Sequence, residues 1–220
     1  MEQPKTLKLE NGEKLPSIFS SEEMQSRLSR LREQMEKEGI EGVLFTSFHN
    51  INYFDHFVYT AFGRNYGLAV TSKRICSITA NIDGGQPWRR GVGDNLVYTD
   101  WKRDNFFVAV QELLQGSRTV GVEYDHLSLQ ILEKLKAALP GTVFVDISET
   151  VMHQRMFKSE EEIELIRNGA KVADLGGEAC IEAIGEGIPE YSIARHSTHT
   201  MVKEIAKRYP DSDLMDTWTW

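Results

Sequence analysis

The sequence predicts an α/β domain with a mixed sheet, followed by a smaller unit that is nearly all helix. Short apolar runs alternate with amphipathic helical patterns between residues 20 and 146, which is typical of an α/β layer architecture. Two strand patterns follow each other directly between residues 66 and 80, which makes the sheet mixed rather than purely parallel. The pattern changes near residues 155–158, and helical spacing dominates after that point.

The first predicted element is a helix that begins after Ser20 and ends at Gly39. Ser20 with Glu23 three residues later fits a capping box, and Gly39 suits the residue that follows a helix. The apolar run GVLFTS (residues 42–47) predicts a buried strand. Residues 48–65 are rich in aromatic side chains but have no sustained period, so we expect an ordered, well-packed loop with short helical turns.

Strands and helices alternate through the rest of the first unit. Residues 66–80 predict two strands joined at residues 72–74. The remaining predicted elements are a turn-rich surface loop at 81–95, a strand at 96–99, a helix at 104–115 capped by Asp104, a strand at 119–123, a helix at 126–139 and a strand at 143–146.

We place the domain boundary so that residues 1–156 form the first domain and residues 157–220 the second. Ser159 and Glu162 form another capping box, and Pro189 and Pro210 frame a second helix. The small and apolar residues expected on one face of the first helix are Ile163, Ile166, Ala170, Ala173, Gly177, Cys180 and Ile184. Because the middle of this face is lined by small residues, we expect another element to approach closely there.

The end of the sequence, LMDTWTW (residues 214–220), has the alternation of a strand. A strand that ends in a bulky tryptophan would leave an unpaired edge. We therefore expect these 220 residues to be a truncated part of a longer protein, with an incomplete second domain.

Composition argues against two kinds of partner. The net charge is −8 and the pI about 5.3, with no basic cluster, so we expect no binding to nucleic acid. No apolar run approaches the roughly 20 residues that span a membrane, and the polar N-terminal segment lacks the apolar core of a signal peptide. The two distant cysteines, Cys76 and Cys180, fit buried thiols in a reduced, cytoplasmic chain.

Few residues point to chemistry by themselves. His196 and His199 share a helix face and could form a metal pair, but no further ligand completes a site, so a solvated face is favoured and no metal is expected. The residues EYDH (123–126) follow a strand and are expected to cap the next helix. Residues 88–90, Trp88-Arg89-Arg90, fit either an interface anchor or an exposed bend.

Arg64 has two alternative interpretations, a solvated loop residue and an anion-binding finger. It stands in AFGRNYG (residues 61–67), a short segment bounded by glycine between apolar stretches. A lone arginine there is more often a solvated loop residue than an anion-binding finger. Spacing and composition alone leave both readings open and assign no reaction.

Five blocks of sequence resemble a known family. They are FTSFHNINYF (45–54), FGRNY (62–66), NIDGGQPWRR (81–90), VYTDWKRDN (97–105) and LMDTWTW (214–220). In this order they are similar to the creatinase family of the pita-bread superfamily, which also includes prolidase, aminopeptidase P and methionine aminopeptidase. The segment KSEEEIELIRNGA (158–170) resembles the two-domain members generally.

The resemblance implies a fold and an activity. It implies an N-terminal mixed-sheet domain of the creatinase/prolidase type, followed here by the first helices and strand of a pita-bread α+β catalytic domain. Members of the creatinase family hydrolyse creatine to sarcosine and urea as homodimers, without a metal or other cofactor, and their active sites lie where the two chains meet.

The resemblance also implies site residues. Phe62 and Arg64 match the stretch that reaches into the partner's active site and contacts substrate. The catalytic histidine and glutamates would lie beyond Trp220, so no catalytic residue is assigned here and residues 1–220 alone are expected to be inactive. The alternatives are a metal-dependent, proline-specific peptidase and a non-catalytic dimerisation module.

Overall fold

The computed structural model describes residues 3–10, 12–57, 63–83, 85–99 and 101–211. The chain divides into two compact units, Met1–Phe157 and Lys158–Trp220. Two sequence-based predictions, the role of Phe62 and the strand at residues 214–220, lie outside the described residues.

A mixed sheet forms the centre of the first unit and confirms the predicted fold class. Within the described residues its seven strands are β1 (Thr6–Leu7), β2 (Gly42–Phe45), β3 (Gly67–Thr71), β4 (Ile75–Ala80), β5 (Asp94–Tyr98), β6 (Thr119–Val122) and β7 (Val143–Asp146). Their order in the sheet is β1-β5-β4-β3-β2-β6-β7. The pairs β4/β5, β2/β6 and β6/β7 are parallel, whereas β1/β5, β2/β3 and β3/β4 are antiparallel.

One edge of this sheet gathers most of the strand ends. Because β2 and β4 run antiparallel to β3, they end where β3 begins, and β5, β6 and β7 end at the same edge. The register shows this directly, since Phe45 pairs with Leu68 and Gly67 pairs with Ile78. We call it the carboxyl edge. In open α/β sheets, ligands bind outside the carboxyl ends of the strands.

Helices cover both faces of the sheet. In the first unit the described helices are α1 (Ser21–Glu38), α2 (Phe48–Asp55), α3 (Gln86–Arg90), α4 (Asn105–Leu114), α5 (Leu129–Ala138) and α6 (Ser148–Met156). Side chains of α4 and α5 pack with Leu44 in one core, and side chains of α1, α2 and α6 pack with Val43 in the other. This follows from the alternation of neighbouring strand residues between the two faces.

The prediction of a loop at residues 48–65 is wrong for residues 48–55, which form α2. Ser47 caps this helix through its side-chain oxygen, which accepts from the backbone N–H of Asn50, and His56 ends it with a φ of 60°. Its buried side chains are Asn50, Ile51, Tyr53, Phe54 and Asp55. Two of these buried residues, Asn50 and Asp55, are polar, whereas the apolar Phe48 is exposed, so the apolar residues of the segment show no clear helical period.

Three further elements were not predicted. Strand β1 has two residues, too few for a pattern, and lies in the polar N-terminal segment. Helix α3 occupies part of the predicted turn-rich loop, and helix α6 buries one side chain, Val151, so neither shows an apolar stripe. Asp104 stands at the N-cap position of α4 as predicted, but its side chain makes no capping hydrogen bond. Its carboxylate instead accepts from Lys134 Nζ at 2.6 Å.

The second unit contains α7 (Glu160–Ala183) and α8 (Glu190–Arg208) in its described part. The capping box is confirmed: Ser159 Oγ accepts from Glu162 N at 3.2 Å, and Ser159 N donates to the Glu162 carboxylate at 2.9 Å. Pro189 occupies the capping position itself rather than the first turn.

The contact face of α7 differs from the predicted one. The buried residues of this helix are Val172, Gly176 and Ala179, whereas Ile166 and Ile184 are exposed. The close approach of a second element is confirmed, but it lies at Gly176, where Met201 of α8 packs. Of the thiols, Cys76 is buried as predicted, whereas Cys180 is half-buried.

Candidate functional site

Arg64 lies in a short segment at the carboxyl edge, just before β3. The preceding Gly63 has a φ of 73°, in the left-handed region. No heavy atom of the residues that the structure describes lies within 4 Å of the position that a Cβ would take there, and the positive φ is what favours glycine. The Arg64 side chain is exposed.

Two tyrosines hold the residues that follow Arg64. The Tyr98 hydroxyl donates to the carbonyl of Asn65 at 3.0 Å, and the Tyr66 hydroxyl donates to Asp83 Oδ1 at 3.4 Å. Both tyrosines are buried. The sheet explains these contacts, because β5 ends at Tyr98 and a short 3₁₀ turn, Asn81–Asp83, follows β4 at the same edge.

Opposite charges flank the Tyr66 phenol. Burial raises the pKa of Tyr66 well above its ordinary range, and the neighbouring Asp83 carboxylate raises it further, while Arg64 opposes the shift. The phenol therefore stays protonated at neutral pH and acts as a hydrogen-bond donor. It positions its neighbours and is not suited to accept a proton.

Trp88 anchors the N-terminal segment of its own chain. Its indole N–H donates to the carbonyl of Gly12 at 3.2 Å, and Lys14 Nζ lies 4.1 Å from the centre of its ring. The backbone N–H of Leu15 also donates to the carbonyl of Arg89 at 2.8 Å. An interface role for residues 88–90 stays a prediction.

Lys14 and Asp55 both bind the backbone at Gly93. Lys14 Nζ donates to the carbonyls of Trp88, Gly91 and Gly93 at 3.1, 2.7 and 2.9 Å. Asp55 is fully buried at the end of α2, where its Oδ1 accepts from Gly93 N at 2.8 Å. Burial raises the pKa of Asp55 from its ordinary 3.8 to about 7, although the Gly93 hydrogen bond and the Lys14 charge both oppose the shift.

Glu123 binds the residues at the start of α2 and does not cap the helix that follows it, so the prediction that residues 123–126 cap the next helix is wrong. Its carboxylate accepts from the backbone N–H groups of Thr46 and Ser47 at 2.6 and 2.9 Å. It also accepts from Ser47 Oγ and from the Asn50 amide at 2.5 and 2.6 Å. The next helix, α5, is capped by Ser128. Both carboxylate oxygens of Glu123 are therefore occupied, and a negative charge at the start of α2 complements the helix dipole.

The paired histidines of α8, His196 and His199, are both exposed. Over the part of the chain that the structure describes, no group of three or more His, Cys, Asp or Glu side chains is arranged to hold a metal ion. None of the helices described there is long and apolar enough to cross a membrane.

The arrangement at the carboxyl edge is suited to anion binding. An exposed guanidinium can bind a carboxylate through two parallel, charge-assisted hydrogen bonds. The segment that carries it is held at Asn65 and Tyr66, so the position of Arg64 is restricted while its side chain stays accessible. Neither the protonated Tyr66 phenol nor the occupied Glu123 carboxylate is available as a base.

Sequence reasoning missed the residues that hold Arg64. Tyr98 and Asp83 lie in two of the unusual blocks, residues 97–105 and 81–90, and that was the only signal for them. Lys14 lies in a polar segment without any pattern, so nothing in the sequence pointed to its hydrogen bonds with the carbonyls of Trp88, Gly91 and Gly93.

The sheet order, the helices on both faces and the carboxyl edge define an N-terminal domain of the creatinase/prolidase type. The chain belongs to the Creatinase/Prolidase N-terminal domain family, whose model matches residues 27–157.

Among its relatives is the creatinase of Bacillus sp. (strain B-0618), which is 54% identical over 213 residues, covering 95% of this chain and 52% of that protein. The fold is similar to that of the prolidase from Pyrococcus horikoshii OT3, with a TM-score of 0.65, 24% identity and coverage of 80% of this chain and 48% of that one. It is also similar to that of the X-Pro aminopeptidase from Thermotoga maritima MSB8, with a TM-score of 0.70, 21% identity and coverage of 80% and 49%. The chain thus spans about half the length of each of these proteins.

Proposed function

We propose that the protein containing this chain is a creatine amidinohydrolase, which adds water to creatine and releases sarcosine and urea. The observation that carries this proposal is the exposed Arg64 behind Gly63, in a chain 54% identical to a creatinase. We further propose that the protein is a cytoplasmic homodimer that needs no metal or other cofactor.

The chemistry of creatine fits Arg64. Creatine carries a carboxylate at one end and a guanidinium at the other. The Arg64 guanidinium matches the carboxylate in charge and in its planar, two-pronged geometry. In the proposal Phe62 supplies an apolar wall beside this pair, which lowers the local dielectric and strengthens the attraction.

The groups that break the C–N bond would come from elsewhere. We propose that residues 1–156 form the N-terminal domain that completes the partner subunit's site, and that residues 157–220 begin the catalytic domain. The general base and the carboxylates that bind the creatine guanidinium would then lie beyond Trp220. Residues 1–220 alone would then not hydrolyse the substrate.

A proline-specific peptidase is the second candidate, because the fold is shared with a prolidase and an X-Pro aminopeptidase. The greater identity to a creatinase favours creatine as the substrate. The third candidate, a non-catalytic dimerisation module, would leave the natural full-length protein without either activity.

The test is Arg64→Ala in the natural full-length protein. In the proposal the pair that Arg64 forms with creatine is enclosed between the two subunits. Loss of one member of a buried charged pair typically costs about 2–5 kcal/mol, so we expect the KM for creatine to rise tens- to thousands-fold, with an unchanged melting temperature. Arg64→Lys should recover only part of the affinity, because it keeps the charge but loses the second hydrogen bond.

Arg118→Ala is the matched control. Arg118 is also exposed, pairs with Glu41 at 2.7 Å, and lies before β6 at the opposite end of the strands from Arg64. Its replacement should leave the KM unchanged. If Arg64→Ala behaves like this control, Arg64 is a solvated loop residue and the proposed role is wrong. Mixed dimers of Arg64→Ala subunits and subunits inactivated in the catalytic half should regain activity if the site is shared.

A further inference from the structure

The Tyr98 hydroxyl contacts the chain one residue after Arg64. It donates to the carbonyl oxygen of Asn65 at 3.0 Å. The two residues are 33 positions apart, so this hydrogen bond ties the Arg64 segment to a different part of the sheet. The segment itself is not part of a strand, because β3 begins only at Gly67.

Tyr98 is a rigid support for that hydrogen bond. Its ring is completely buried and packs edge-on against Phe106, with 5.7 Å between the ring centres. Its backbone lies between two neighbours in the sheet, since it pairs with Ala80 of β4 and with Thr6 of β1. A hydroxyl on such a side chain has little freedom, so the Asn65 carbonyl is held at a defined place on the carboxyl edge.

Tyr66 adds a second, weaker attachment. Its hydroxyl donates to Asp83 Oδ1 at 3.4 Å, and its ring packs against Phe57 with 6.1 Å between ring centres. The two residues after Arg64 are therefore both held in place. The Tyr98 hydroxyl binds the backbone of Asn65, and Tyr66 is held through its own hydroxyl.

We propose that Tyr98 is a positioning residue for Arg64: its hydroxyl, through the Asn65 carbonyl, sets where the Arg64 guanidinium meets the substrate carboxylate. This inference rests on the proposed function. Two-pronged recognition of a carboxylate tolerates displacements of only about 0.5 Å, so a segment that loses its support should bind substrate less well. The supported arginine binds a part of the substrate that does not react, so the effect should fall on KM and spare kcat.

The test is Tyr98→Phe in the natural full-length protein. The substitution keeps the buried ring and its contact with Phe106 and removes the hydroxyl. We expect the KM for creatine to rise about three- to tenfold, the size of effect expected from one hydrogen bond, with kcat nearly unchanged. Tyr66→Phe should raise the KM less, because its hydrogen bond is longer, and it provides an independent reading if Tyr98→Phe folds poorly.

Tyr124→Phe is the matched control. The Tyr124 hydroxyl also donates to a backbone carbonyl, that of Phe144, at 2.9 Å. Tyr124 is exposed and follows β6, which β2 separates from β3 in the strand order. Its replacement should leave KM and kcat unchanged. A change in this control would mean that losing any such tyrosine hydroxyl affects the kinetics.

A double-mutant cycle with Arg64→Ala separates this inference from the proposed function. If Tyr98 acts through Arg64, then adding Tyr98→Phe to Arg64→Ala should leave the KM where Arg64→Ala alone puts it. An unchanged KM in both Tyr98→Phe and Tyr66→Phe, or full additivity in the double variant, overturns the positioning role while the proposed function stands. An unchanged KM in Arg64→Ala itself overturns the proposed function and this inference together.

Discussion

Asp55 shows how a single buried carboxyl links α2 to the N-terminal segment. It is fully buried, accepts from Gly93 N, and lies close enough to Lys14 for the lysine charge to affect its pKa. Lys14 in turn holds three backbone carbonyls around α3 and β5. The protonation of Asp55 should therefore affect the stability of the fold near neutral pH.

We expect Asp55 to make the protein less stable as pH rises from about 4 to 7. Its pKa is about 7 in the folded chain and near 3.8 when exposed, so the folded state keeps a proton that the unfolded state has released. The loss of stability begins as pH rises through the pKa of the exposed carboxyl and is complete above the pKa of the folded chain. Asp55→Asn has no carboxyl group at this position and therefore lacks this loss of stability. The melting temperature of the variant minus that of wild type should increase from pH 4.5 to pH 8.

The comparison with wild type at each pH is needed because His56 contributes the opposite slope. Burial, with Arg27 nearby, lowers the pKa of His56 to about 4, so its contribution increases stability as pH rises through about 4 to 6.5. A constant difference in melting temperature between wild type and Asp55→Asn across this range would show that Asp55 ionises normally.

At the residue scale, the sequence pointed to Arg64 as a candidate site residue but not to the residues that hold it in place. The glycine before it and the motif match pointed to that residue. The contacts of Tyr98 with Asn65 and of Glu123 with Ser47 join residues distant in sequence. They depend on which strands end side by side, and strand order is not encoded in any local pattern.

At the scale of single elements, α7 and α8 illustrate how a small residue permits close packing. A Cβ on Gly176 would lie 2.6 Å from Met201 Sδ and 2.8 Å from its Cγ, which is too close. Ser197 Oγ also donates to the Gly176 carbonyl at 2.9 Å. At the neighbouring Gly177, no heavy atom of the described part of the chain lies within 4 Å of the position that a Cβ would take.

Gly176→Ala and Gly177→Ala should therefore differ in the 220-residue chain. Both gain about 1 kcal/mol of helix propensity, but only the first must displace Met201, and overpacking typically costs about 1–3 kcal/mol. We expect Gly177→Ala to raise the melting temperature. The melting temperature of Gly176→Ala should be lower than that of Gly177→Ala. Equal melting temperatures for the two variants would mean that the helices do not approach closely at Gly176.

Elements with a one-sided apolar pattern were predicted well, and the others were not. Helices α1, α4 and α5 and strands β2 to β7 each present a clear pattern or an apolar run. Helix α2 buries the polar Asn50 and Asp55 and exposes Phe48, and α6 buries only Val151, so neither shows a clear helical period of apolar residues. For α7 the spacing was right but the face was not, because the predicted stripe through Gly177 lies one residue away from the contact at Gly176.

At the scale of the whole molecule, the N-terminal segment extends the family domain. The family model begins at residue 27, yet residues before it form β1 on the edge of the sheet and supply Lys14. Strand β1 covers the edge of β5 that would otherwise be open. The sequence predicted a mixed sheet but not this added strand, since a two-residue element carries no period.

The most direct measurement is product release from creatine by the natural full-length protein in the presence of a metal chelator. We expect urea and sarcosine in equal amounts, no effect of the chelator, no cleavage of an Xaa-Pro dipeptide, and no urea from residues 1–220 alone. Metal-dependent cleavage of the dipeptide without any urea from creatine would contradict the proposed function and favour the peptidase. Absence of both activities would favour a dimerisation module.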